Sequence, residues 1–445
     1  MSVFGALQES LASAQFQICL LIFAVTVILY IFGSKFKISL AAASMLCMFS
    51  LVLTGVTAPK EALGYIGNST VLMVTGMMLI AGGFQRTQFC TKLALNIAKL
   101  AKGNMTAMMF GYCVLSMLLS QLIQSPLVAF GVCAPLMIAT GEAMGIGPNK
   151  LMFPLGITAI STCCTLPIGA GATVATELNG YLESYGYTDY SFALADACFA
   201  RLPVLILAVL YCAFIAPKLA PEECVLPSTY EKKDPAKVEV LPAFQEWAGV
   251  IIFFGSSLAL MFDKKLGLAA WVITCTGGLL MVLLGVIRGK KAMDSMAINM
   301  SLVVAGALAL AGALSATGVG DMVGGFVSNI ALSVGGNSYV VGAIFFFFPF
   351  VLTQFMLNRG VMLIFHPIAI ATCASMGADP RGLMILVQAA CLTAFMTPMA
   401  TGAVPFIMGY GGYDQKSMLK QGFPVAALFG VVSVLWTMTI FPLFH

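Results

Sequence analysis

Two stretches of this chain follow one pattern. Leu118–Tyr181 reads LLSQLIQSPLVAFGVCAPLMIATGEAMGIGP and later TLPIGAGATVATELNGY. Val351–Tyr413 reads VLTQFMLNRGVMLIFHPIAIATCASMGADP and later MTPMATGAVPFIMGYGGY. At an offset of about 232 residues, Pro135 falls on Pro367, Met144 on Met376, Pro148 on Pro380 and Tyr181 on Tyr413. A duplication restricts the fold strongly, because both copies have to build the same unit. In a chain this apolar it points to a secondary transporter whose site lies where the repeats meet.

The apolar character sets the class. Hydrophobic residues make up 60% of the chain and charged residues 9%, where a soluble domain carries about 25% charged residues. Runs such as Phe16–Phe32 and Val425–Phe441 suit helical membrane spans. The 44 glycines suit close helix packing and helix breaks. The first run has no basic segment before it and is followed by another from about Ile38, so it reads as a retained span. Most of the 13 cysteines lie in apolar runs and none forms a C-x-x-C pair. They read as small buried hydrophobes. His366 and His445 are too far apart for a familiar metal motif. No cofactor, no firm metal site and no nucleic-acid partner is expected; the partners expected are the bilayer and a small anionic substrate.

Spans are predicted near 16–33, 38–55, 69–86, 151–183 and 193–216, and again near 247–262, 266–287, 298–317, 381–410 and 421–443. Between the third and fourth span of each half lies an amphipathic piece, Thr87–Lys102 or Gly318–Gly335, suited to an interfacial helix. An apolar stretch of about 36 residues follows, broken by a polar cluster at Gln121 to Pro126 and at Gln354 to Gly360. Each stretch reads as a re-entrant hairpin or as two spans. The hairpin is preferred, because a polar tip at mid-depth is tolerable where it meets a cavity or protein. Either way each half has an odd number of spans, so the repeats are inverted. The expected fold is an all-α polytopic membrane protein with about ten transmembrane helices, two re-entrant hairpins and two inverted five-span repeats with broken helices. The first repeat covers 1–216, with its hairpin at about 104–141 and its broken span at about 151–183. A linker covers 217–245. The second repeat covers 246–445, with its hairpin at about 338–375 and its broken span at about 381–410.

Charge orients this arrangement. With hairpins, 16 of the 22 Lys and Arg fall on one side and 5 on the other, leaving Arg359 at membrane depth. Positive loops face the cytoplasm. The chain is therefore expected in the cell inner (plasma) membrane, with both termini outside and the linker, PEECVLPSTYEKKDPAKVEV, as a solvated cytoplasmic connector.

Four places carry chemistry. Two are the hairpin tips, with Gln121, Gln124, Ser125 and Pro126 in one, and Gln354, Asn358, Arg359 and Gly360 in the other. Two are helix breaks, at Thr165 to Gly171 and at Thr397 to Gly402, where Pro and Gly interrupt a span. A break frees backbone N–H groups that favour an anion and carbonyls that favour a cation. The expected substrate-binding set is Gln124, Ser125, Thr165, Gly169, Asn358, Arg359, Gly360, Thr397 and Thr401. A charge at depth faces a cavity or a partner. Arg359 is thus read as the anchor of an organic anion, with an ion pair to Glu177 or Asp196 as the other reading. Glu177 follows the first break and is a candidate proton acceptor. Asp196 and Arg201 are expected at the outer interface, and His366 in the core. No H-E-x-x-H, no G-x-S-x-G and no pair of membrane aspartates is present, so an enzyme is not expected.

These motifs resemble the divalent anion:sodium symporter family, the dicarboxylate and citrate carriers of the ion-transporter superfamily, over nearly the whole chain. That family's tips carry Ser-Asn-Thr about nine residues before a Pro-Leu or Pro-Ile. Here Ser125 falls on the serine, with Pro126 and Leu127 following. In the second tip Asn358 falls on the asparagine, between Leu357 and Arg359. The family's breaks resemble T-P-I-G-T-P-P-N. Pro167, Ile168 and Gly169 match in one half, and Thr397, Pro398 and Thr401 in the other, while the later Pro-Pro-Asn is replaced by Gly171-Ala172-Thr173 and Gly402-Ala403-Val404. The resemblance implies carboxylate transport by an elevator-like movement, usually in a homodimer. It also implies coupling-ion contacts at Ser125 and Asn358. Arg359 stands where the family has a cation-associated threonine and would repel sodium there. Exchange or coupling to H+ is therefore expected in place of Na+ symport. The resulting expectation is a carrier of small organic anions, di- or tricarboxylates foremost. The alternatives are a sulfate-like oxyanion carrier, a sodium-coupled symporter, an anion channel and, most remote, a polytopic membrane enzyme.

Overall fold

A computed structural model describes residues 3–32, 38–89, 92, 104–123, 125–168, 170–230, 241–296, 298–320, 322, 337–355, 358–398 and 400–444. Among these residues the fold is built from helices alone. The first half contains α1 (Val3–Phe32), α2 (Leu40–Leu53), α3 (Pro59–Ile66), α4 (Ser69–Gln85), α5 (Met105–Leu122), α6 (Pro126–Ala143), α7 (Met152–Ser161), α8 (Ala170–Tyr185) and α9 (Asp196–Phe214). The second half repeats this order as α10 (Ala243–Met261), α11 (Ala270–Leu283), α12 (Gly289–Ser295), α13 (Ile298–Thr317), α14 (Ser338–Thr353), α15 (Asn358–Met376), α16 (Arg381–Cys391), α17 (Val404–Gly411) and α18 (Gln415–Ile440).

Local chemistry starts these helices. Ser39, Asn68, Asn104, Asn337 and Asp414 cap α2, α4, α5, α14 and α18 by accepting from a backbone N–H in the first turn. The short helices α3 and α12 lie beyond the spans expected from the apolar runs. Each follows a sharp turn at a glycine with positive φ, Gly55 at 75° and Gly285 at 74°, a backbone that other residues adopt at a cost.

The halves interlock by exchange. Helix α4 packs on α11, and α2 packs on α13. A Cβ added at Gly76 would lie 2.6 Å from the Thr274 carbonyl carbon, and one at Gly306 would lie 2.5 Å from the Ser44 carbonyl oxygen. Each crossing thus needs a glycine to let two backbones approach. Other contacts also come in matched pairs: α5 with α7 and α14 with α16, α6 with α7 and α15 with α16, α5 with α9 and α14 with α18. Helix α9 meets its own counterpart α18. The broken spans cross over, so that α8 touches α15 and α17 touches α7.

Among the described residues, seven helical stretches are long and apolar enough to cross a membrane, with shorter apolar helices beside them. Arms α5 and α6 have 18 residues each, about 27 Å at 1.5 Å per residue. Their length suits a span as well as a hairpin arm, but their tip ends against the break between α7 and α8. Most of the expected amphipathic pieces lie outside the described residues, as does 231–240 of the linker. The earlier part of the linker is fastened down: Leu226 N–H donates to Gly412 O at 2.9 Å and Thr229 N–H donates to Gly409 O at 2.9 Å.

Candidate functional site

The first interrupted span stops at Ser161 and resumes at Ala170, and the second stops at Cys391 and resumes at Val404. Each break strips hydrogen bonds from the backbone, and a glutamine from the adjacent hairpin replaces some of them. Gln121 Nε2 donates to Thr162 O at 2.6 Å, while its Oε1 accepts from the N–H groups of Thr165 at 2.8 Å and Leu166 at 2.9 Å. In the second half Gln354 Oε1 accepts from Met396 N–H at 3.3 Å, and the Gln354 carbonyl accepts from the Thr397 hydroxyl. The hairpins are thereby tied to the breaks.

Arg201 corrects an expectation. It is 2% exposed, not at an outer interface. Its fork donates to Ser161 O at 2.8 Å, Cys163 O at 2.9 Å and Cys164 O at 3.4 Å. These are carbonyls left open at the end of α7, where a cation also suits the helix dipole. Cys164 holds φ at 54°, an unusual backbone for a residue with a side chain.

Between the breaks and the flanking helices lies a cavity of about 590 Å³, within the range of ligand pockets. Helices α1, α2, α4 and α13 contribute mainly apolar groups, with Leu29, Leu40, Met78 and Val303, beside Tyr30, Ser39 and Asn299. Most of the polar lining comes from the second break and from α8, α15 and α16, with Thr173, Glu177, Asn358, Arg359, His366, Gln388 and Thr401. Arg359 donates through one guanidinium nitrogen to Glu177 Oε1 at the cavity wall. Their side chains are 30% and 9% exposed. The pair joins the two repeats, since Glu177 sits on α8 and Arg359 in the first turn of α15.

The expected site residues separate into groups. Asn358, Arg359 and Thr401 line the cavity, as does the candidate proton acceptor Glu177. The Asn358 Oδ1 accepts from the Thr353 hydroxyl at 2.8 Å. Ser125 caps α6, accepting from Val128 N–H at 3.4 Å beside the cavity residue Pro126. Gly360 is buried in the first turn of α15. Thr397 is spent on Gln354, and the Thr165 hydroxyl is buried without a hydrogen-bond partner among the described residues. Gln124 and Gly169 lie outside the described residues. Of the two acidic partners weighed for Arg359, Glu177 makes the pair, while Asp196 approaches Arg381 at 3.8 Å. His366 is 3% exposed with its ring 5.3 Å from that of Tyr181. Sequence reasoning missed Thr173 and Gln388, whose types and spacing carry no signal above that of ordinary helix residues. Among the described residues, no three His, Cys, Asp or Glu side chains gather closely enough to hold a metal ion.

Comparison with known proteins gives this geometry a setting. Residues 18–348 match the model of a family described as citrate transporter. A Staphylococcus saprophyticus protein named sodium-dependent dicarboxylate transporter SdcS is 22% identical over 432 residues, covering 89% of this chain and 81% of the relative. An uncharacterized transporter of Haemophilus influenzae is 22% identical over 392 residues, covering 84% and 81%. Two solved structures share the fold, each with a TM-score of 0.61 and 15% identity. They are MtrF of Neisseria gonorrhoeae, described within a class of antimetabolite efflux pumps and covering 96% of both chains, and the YdaH transporter of Alcanivorax borkumensis, covering 96% of this chain and 98% of its own.

Proposed function

The chain belongs to the citrate transporter family and is a multi-pass membrane transporter, and from that premise we propose that it is a secondary active carrier of small organic anions with Arg359 as the anion's counter-charge. The single observation that carries this reading is a cationic fork on the wall of a large cavity between the two repeats. Such a fork holds a carboxylate through two parallel hydrogen bonds. Asn358 and Thr401 supply neutral donors beside it. The names of the family and of the Staphylococcus relative point to di- and tricarboxylates as the first substrates to try.

The hairpins and breaks, tied by Gln121 and Gln354, form the body that carries substrate. Helices α1, α2, α4, α10, α11 and α13 form the frame against which it moves in an elevator-like step, in a homodimer at the plasma membrane with the linker on the cytoplasmic side. Residues 1–216 and 246–445 are the two inverted repeats of that machine. Coupling is by exchange or by protons, because the fixed charge of Arg359 disfavours a sodium ion next to Asn358. The name of the Staphylococcus relative favours a second reading, sodium-coupled symport.

Uptake of labelled succinate and citrate into proteoliposomes tests these readings, with sodium, a proton gradient or internal counter-substrate varied one at a time. We expect Arg359→Ala to weaken the anion by about 10- to 100-fold, the worth of a charged hydrogen bond or two. Full affinity in that variant would remove the anchor role. A strict sodium requirement would select the symport reading.

A further inference from the structure

The protein's own groups already balance the charge of the cavity wall. Among the described residues lining it, Arg359 is the cation, Glu177 is the carboxylate, and the two are paired. Glu177 thus occupies the place that the carrier reading gives to the substrate's carboxylate. An anion that joined both would leave one negative charge uncompensated in a largely apolar chamber, which is strongly unfavourable.

We propose that Glu177 is the built-in competitor of the transported anion: an incoming carboxylate replaces it on Arg359, and the released Glu177 takes up one proton. This deepens the carrier reading and rests on it. The charges balance at both ends of the exchange. Before binding, Arg359 is neutralised by Glu177. After binding, Arg359 is neutralised by the substrate, and the proton drawn from water has converted the Glu177 carboxylate to a neutral carboxylic acid. The site accordingly takes anions of single charge, either monocarboxylates or a dicarboxylic acid that has kept one proton.

The groups in electrical contact with Glu177 are Arg359 on α15, Tyr181 on its own helix and Cys164 in the break. Beyond them, Arg201 and Cys163 act on Cys164, Tyr30 of α1 acts on Tyr181, and His366 lies against Tyr181 and feels Arg359; Tyr30, Cys163 and His366 also line the cavity. The other helices packed on α8 within the cavity, α4 and α13, contribute Met78, Asn299 and Val303 to its wall, none of them ionisable.

Calorimetric titration of the purified protein with propionate and with succinate tests the exchange, run in buffers of different ionisation heat so that proton uptake is read directly. For wild type we expect uptake of about one proton per propionate, with affinity falling about tenfold for each pH unit over which that proton is taken up. Succinate is expected to lose affinity more steeply, since it must keep a proton as well. Glu177→Gln is expected to bind propionate with no proton uptake and no such pH dependence. Anion binding to wild type without proton uptake would overturn the exchange and leave the carrier reading standing. So would an unchanged pH profile in Glu177→Gln, or succinate binding as a full dianion. If that variant does not fold, the proton count on wild type decides alone. Absence of any anion binding to wild type would remove the carrier reading, and the exchange with it.

Discussion

The Gln121 side chain closes the gap that the first break opens at Thr162, donating to its carbonyl at 2.6 Å while accepting two N–H groups from the other side of the turn. One carboxamide replaces three backbone partners. Gln121→Ala leaves buried groups unpaired, each worth about 1–3 kcal/mol, so we expect a loss of at least about 2 kcal/mol. Gln354→Ala removes longer contacts, at 3.2 and 3.3 Å, and should cost about 1 kcal/mol. Thermal unfolding of the two variants in detergent measures the difference.

Arg201 holds three carbonyls at the end of α7 from a position that is 2% exposed. Arg201→Ala is expected to destabilise by about 3 kcal/mol, the scale of losing charge-assisted hydrogen bonds from a buried site. Arg201→Lys keeps the charge but not the planar fork, and should fall between wild type and the alanine variant. A lysine variant as unstable as alanine would show that the fork, not the charge, holds the break.

Gly171 and Gly402 occupy matching places in the duplicated sequence, yet their surroundings differ. A Cβ at Gly171 would run into the Leu166 carbonyl, whereas one at Gly402 meets nothing nearer than Leu127 at 3.9 Å. Gly171→Ala must shift backbone, which is costly, and we expect loss of folded protein or a drop of several degrees in Tm. Gly402→Ala should stay within about 0.5 kcal/mol of wild type. Size-exclusion profiles and melting curves of the pair check this.

Tyr181 and Tyr413 are the matched tyrosines of the duplication. The Tyr413 hydroxyl donates to the Asn149 carbonyl and accepts from Phe153 N–H at 3.1 Å. The Tyr181 hydroxyl is buried with no hydrogen-bond partner among the described residues. Tyr413→Phe should therefore cost about 1–2 kcal/mol, and Tyr181→Phe should be close to neutral. Equal effects in a thermal melt would contradict this asymmetry.

Much of the architecture was legible along the chain. Apolar runs gave the spans, and Pro167, Gly171 and Pro398 marked where two of them break. Gln121 and Gln354 were visible as polar interruptions, but not as the groups that bridge those breaks. The short helices α3 and α12 were missed because they lie past the turns at Gly55 and Gly285, where the apolar runs that mark the spans have ended. Arg201 was misplaced because a cation near a span end usually faces water, and its partners become available once α7 ends early.

The sequence by itself determined an all-helical, duplicated membrane protein with tips and breaks at matching positions, because helix formation and helix interruption depend on residues within a few turns of one another. Only the tertiary structure decided what each polar group does. Gln121 lies 44 residues from Thr165, Arg201 lies 38 from Cys163, and Arg359 lies 182 from Glu177. A buried donor or charge takes whichever partner the packed helices bring within about 3 Å. For that reason the Thr397 hydroxyl went to Gln354, and Arg359 and Glu177 came together at the cavity.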